Sequence, residues 1–80
     1  MNKTLLSPDQ LSAWMTSELQ KFDECQDCQI MGIVPLQFAD EDGCNWSDSL
    51  TVNSGGIPSE ILVPHVRRIV AEAKVRFNLE

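Results

Sequence analysis

Residues 29–38 read QIMGIVPLQF, and the fold turns on how far this run continues as one strand. With regular pleating, Cys28, Ile30, Val34, Leu36 and Phe38 share one face, and Met31, Ile33 and Pro35 share the other. Gly32 is the gap in the first face and marks a bulge or a close approach of a neighbouring element. Pro35 has no N–H, which puts the strand at an edge or distorts it there. Residues 39–45, ADEDGCN, have loop composition.

Residues 46–53, WSDSLTVN, alternate as a second strand. Trp46, Leu50 and Val52 face one way, and Ser47, Ser49, Thr51 and Asn53 face the other. Pairing Phe38 with Trp46 sets Leu36 opposite Asp48 and Val34 opposite Leu50. That register keeps both apolar faces on one side and makes an aromatic cross-strand pair. Asp48 interrupts the apolar face. A carboxylate there needs a donor, unless the strand starts at about Ser49 and Asp48 caps the loop instead.

A helix is predicted on either side of this hairpin. In LLSPDQL, residues 5–11, Ser7 suits the N-cap, Pro8 the first helical position, and Gln10 closes a capping box. Leu11, Trp14, Met15, Leu19 and Phe22 follow as one stripe at helical period, so the spacing predicts a helix over 8–23. Near the C-terminus, Leu62, Val66, Ile69, Val70, Ala73 and Phe77 form a second stripe. Pro64 leaves two choices: a turn or short third strand at 59–63 before a helix from Pro64, or one helix from about Pro58 kinked at Pro64. The unbroken stripe favours the single helix.

The expected fold class is therefore α+β. A two-layer α-β-β-α arrangement packs both helices on one face of an antiparallel β-hairpin, as a single domain spanning 1–80. This order is similar in topology to a double-stranded-RNA-binding domain if residues 59–63 form the third strand. That family grips phosphates with basic residues at the start of its second helix. Here that region reads IPSEILVPHVRR, residues 57–68, and the net charge is −6. An acidic surface repels phosphate, so direct binding of nucleic acid or an anionic membrane is not expected.

Charge is uneven along the chain. Residues 1–63 carry Lys3 and Lys21 against ten acids, whereas 64–80 carry Arg67, Arg68, Lys74 and Arg76 against Glu72 and Glu80. Residues 1–10 contain no apolar run of signal-peptide length, and no stretch approaches a membrane span. Three cysteines, an odd number, close no disulfide framework in a monomer. The expected setting is the reducing cytoplasm.

Cys25, Cys28, Cys44 and His65 make one Cys₃His set, and Cys-x-x-Cys is half of many structural zinc sites. The other half is not a paired knuckle, and Cys28 shares its parity with core residues, so filler thiols are the simpler reading. A redox role is disfavoured because Asp23, Glu24 and Asp27 surround the pair, and carboxylates raise a thiol pKa. Asp40, Asp42 and Gly43 resemble an EF-hand loop only in part, since no closing glutamate follows. His65 has no positioned nucleophile beside it.

No catalytic constellation assembles, so the expected function is a non-catalytic accessory protein that binds another protein or itself. The candidate contacts are Met31 and Ile33 on the sheet, Asp40, Asp42, Trp46 and Asp48 around the acidic loop, and Arg67 and Arg68 on the second helix. A two-stranded sheet is marginal alone, which makes a homodimer plausible. The alternatives are a zinc-stabilised domain using Cys25, Cys28, Cys44 and His65, and an acidic nucleic-acid mimic that occupies a DNA- or RNA-binding protein.

Overall fold

Ser7 opens the first helix as its sequence dictates. A computed structural model describes residues 3–41, 43–47 and 50–80 of the chain. Strand β1 (Thr4–Leu6) leads into helix α1 (Pro8–Leu19), where Ser7 Oγ accepts from Gln10 N–H and Gln10 Oε1 accepts from Ser7 N–H. The helix stops at Leu19, earlier than the stripe suggests. Lys21 and Phe22 donate back to Glu18 and Leu19, which tightens the last turn, and Phe22 then turns extended. A 3₁₀ turn (Asp23–Cys25) carries the chain to strand β2 (Gln29–Met31). Strand β3 (Thr51–Asn53), helix α2 (Ser59–Arg76) and strand β4 (Phe77–Leu79) complete the order.

The fold is mixed α+β, with two helices and an antiparallel β2–β3 pair, as expected. A second, parallel pair joins β1 to β4. Strands of three residues are too short to show alternation, so this pair left no sequence signal. Residues 59–63 lie within α2, not in a third strand, and Pro64 sits inside the same helix. Pro64 is exposed, which leaves the Glu60 carbonyl it fails to bond accessible to water. Phe77, read as the last residue of the helical stripe, instead turns extended and begins β4.

Both helix stripes build the core. Leu11, Met15 and Leu19 of α1 meet Leu62, Ile69, Val70 and Ala73 of α2, with Cys25, Cys28, Ile30, Cys44, Trp46 and Leu79. Trp14 packs edge-on against Phe77, with ring centroids 5.0 Å apart. Each two-stranded sheet has one edge satisfied by side chains. Along β2, Ser12 Oγ donates to the Ile30 carbonyl, Thr16 Oγ1 accepts from Ile30 N–H at 3.0 Å, and Gln20 Nε2 donates to the Cys28 carbonyl at 3.1 Å. These three polar residues, two on one face of α1 and the third at its C-cap, take the place of a third strand. Along β4, the Asn45 amide donates to the Leu79 carbonyl and accepts from Leu79 N–H.

The hairpin register differs from the expected one, and the difference moves side chains from one face to the other. Ile30 pairs with Val52, a shift of two residues that keeps the faces. Beyond Gly32, Pro35 pairs with Trp46. The two paired stretches are separated by three residues on one side and four on the other, so the register slips by one and the faces exchange. Gly32 adopts φ +66°, a left-handed conformation that allows the break. Ile33 now packs against the core, while Val34 is 47 % exposed and Phe38 79 % exposed. Val34 and Phe38, expected inside, are outside, while Leu36 between them is half-buried.

Gly55 holds the turn after β3 against the 3₁₀ segment. Its φ is +60°, and a Cβ there would lie 2.8 Å from Asp27 backbone oxygen. Gly43 has φ +77° with open space around it. Urea denaturation should show Gly55→Ala losing about 2–4 kcal/mol, against about 1 kcal/mol for Gly43→Ala, because only the first adds a backbone clash to the left-handed strain. Equal losses at the two sites would show that Asp27 does not press on Gly55.

Candidate functional site

The four zinc-ligand candidates fall into three separate environments. Cys25 and Cys28 sit together across the 3₁₀ turn, where Cys28 N–H donates to the Cys25 carbonyl at 3.0 Å. Cys28 Sγ donates to the Ser54 carbonyl at 3.1 Å, which ties this turn to the end of β3. Cys44 lies instead beside α2, with Lys74 Nζ 3.4 Å from its sulfur. His65 Nε2 is 2.8 Å from Glu24 Oε1, and the imidazole stacks on Phe22 at 4.1 Å between centroids. Among the described residues no three His, Cys, Asp or Glu side chains converge on a metal-sized site. The Cys₃His constellation drawn from the sequence is therefore not assembled. All three thiols are free and buried.

The Cys25 thiol is pushed up from its ordinary 9.0 to about 11, first by burial, then by the charge and hydrogen bond of Cys28 and the charge of Glu24. A raised thiol pKa means the folded chain holds this proton more tightly than the unfolded chain does. Its contribution to stability is therefore present below pH 9 and is lost as the pH rises through 9 toward 11.

Lys74 organises the end of the molecule opposite His65. Its ammonium donates to the Trp46 carbonyl at 2.9 Å, lies 4.5 Å above the indole centroid, and approaches Asp40 Oδ2 at 3.9 Å. Asp40 in turn caps the loop, since Cys44 N–H donates to its Oδ1 at 3.0 Å. Trp46, expected as an exposed anchor, is fully buried, and its Nε1–H donates to the Phe77 carbonyl at 3.1 Å. Burying an indole requires such an acceptor. The Trp46 side chain is thus a packing element and not a contact surface.

The remaining sequence candidates divide by exposure. Met31 is 48 % exposed and lines a shallow groove with Ser12, Ala13 and Gln29. Ile33 is half-buried against the core. Arg67 and Arg68 are exposed and carry no ion pair among the described residues. Asp42 and Asp48 lie outside the described residues.

What sequence reasoning missed is the exposure of Val34 and Phe38. The chain between them is tied to the facing segment, where Leu36 N–H donates to the Asn45 carbonyl and Ser47 N–H donates to the Val34 carbonyl, both at 2.8 Å. The available signal was Gly32 together with Pro35, two residues that break the phase of a strand.

No helix among the described residues is long and apolar enough to cross a membrane. Comparison with known proteins finds no matching family model, no matching curated protein and no matching solved structure. The site's own geometry therefore carries the functional reading.

Between pH 9 and 11, the stability of Cys25→Ala measured by urea denaturation should fall less steeply than that of the unmodified chain. Parallel pH profiles for the two proteins would show that burial does not hold the Cys25 proton.

Proposed function

We propose that the protein is a small, non-catalytic, cytoplasmic interaction module that binds another protein chain through the exposed Val34 and Phe38. The observation that carries this reading is Phe38, an aromatic ring 79 % exposed on a segment pinned by backbone hydrogen bonds. Aromatic residues are enriched at interface cores. Asp40 and Glu41 follow it closely, so the contact is apolar with an acidic flank. Free thiols suit a reducing compartment.

The acidic-mimic alternative has weaker support. Glu24 and Asp40 face His65 and Lys74 of α2, nine residues apart or about 13 Å along the helix axis. These carboxylates are engaged within the fold instead of forming one phosphate-like array. A negative chain also remains a poor direct ligand for nucleic acid.

Photo-crosslinking tests the reading. A photoreactive residue placed at position 38 should give a discrete protein adduct in cells. The same residue at Lys21, whose side chain is 70 % exposed in the turn after α1, should give none. Absence of any adduct from position 38 would overturn the proposal.

A further inference from the structure

An open groove of about 330 Å³ runs along α2, lined by Val66, Arg67, Val70, Ala71 and Lys74. Its floor is apolar and its rim is cationic. A cavity of about 150 Å³ accepts a benzene ring, so this groove has room for a phenyl side chain. Lys74 uses its ammonium within its own chain, but Arg67 has no ion pair among the described residues.

The loop that carries Phe38 is tied to one end of this groove through Lys74. Asp40, two residues after Phe38, reaches Lys74 at 3.9 Å, and two residues of chain separate Cα atoms by about 7 Å at most. Phe38 nevertheless stays 79 % exposed and does not fill the groove of its own chain. A knob and a hole carried by the same chain meet reciprocally across a two-fold axis in an isologous dimer.

Charge selects the same occupant. The knob is followed by Asp40 and Glu41, and the groove belongs to the one basic segment of a chain whose net charge is −6. An acidic loop on this chain finds its complement on a second copy of the chain. We infer that the groove on α2 receives Phe38 of a second copy, with Glu41 facing the partner's Arg67, in a symmetric homodimer. Two such insertions per dimer would shelter the exposed Phe38 and support an 80-residue fold built on two-stranded sheets.

The inference rests on Phe38 as a contact residue and adds what it contacts. Sedimentation of the full chain across a dilution series should show a monomer–dimer equilibrium. Phe38→Ser, folded because the ring is exposed, should raise the dimer Kd by about 30-fold or more, the scale of an interface hot spot. Glu41→Arg and Arg67→Glu should each weaken it by about 5-fold, the scale of a rim ion pair, and together in one chain should restore it.

In the photo-crosslinking experiment, the position-38 adduct should be a dimer joined to peptide 66–71. A chain that stays monomeric throughout, a Phe38→Ser dimer of unchanged affinity, or charge reversals without rescue would overturn self-pairing. A position-38 adduct with a different protein would overturn self-pairing while leaving Phe38 as the contact. No adduct at all would remove both.

Discussion

The buried indole of Trp46 determines where the second half of the hairpin lies. Its N–H is bound to the carbonyl of Phe77, its ring is covered by the Lys74 ammonium, and its carbonyl takes a second bond from the same ammonium. Asn45 beside it grips both polar groups of Leu79, while Asn78 Oδ1 accepts from Asn45 N–H and Asn78 Nδ2–H donates to the Gly43 carbonyl. The segment 43–47 is thereby fastened to the end of α2 and to β4. Removing a buried Trp side chain typically costs about 3–5 kcal/mol, so no competing placement of this segment matches it unless the indole stays buried. Once Trp46 is docked, Pro35 is the residue opposite it, and Val34 and Phe38 are left exposed.

This explains which parts of the fold were legible. Helix α1 was readable from Ser7, Pro8 and Gln10, because a capping box is a local arrangement with no competing partner. Helix α2 was readable from its stripe, which outweighed the single hydrogen bond lost at Pro64. The β2–β3 pairing was readable in kind, since Ile30 and Val52 kept their inward faces. Beyond Gly32 the alternation misled. A period of two predicts faces only while the backbone stays pleated, and one left-handed glycine ends that condition. The demand that Trp46 bury its ring was stronger than the demand that Val34 and Phe38 bury theirs, and nothing in the spacing ranks the two.

The candidate site was legible to a lesser degree for the same reason. Cys28 went into the core as its parity implied, and the wide separation of Cys44 from His65 in sequence became separation in space. Lys74 entered the sequence reading only as part of the basic C-terminal charge, yet it acts as the tie between α2 and the Trp46 segment. Its role depends on contacts between residues nearly thirty positions apart, which local patterns do not encode. Arg67, about two turns away, was read as a candidate contact and is exposed. Through Lys74 and Asp40 the acidic loop and the basic helix meet at 3.9 Å.

The most direct measurement is methyl NMR of the Phe38→Ser chain, which is expected to be monomeric, with a soluble paramagnetic probe. Exchange of faces at Gly32 requires the Ile33 methyl signals to be shielded and those of Val34 to broaden. Shielded Val34 methyls with broadened Ile33 methyls would mean that the strand keeps its phase through Gly32, and the exposed contact of Val34 and Phe38 would not exist.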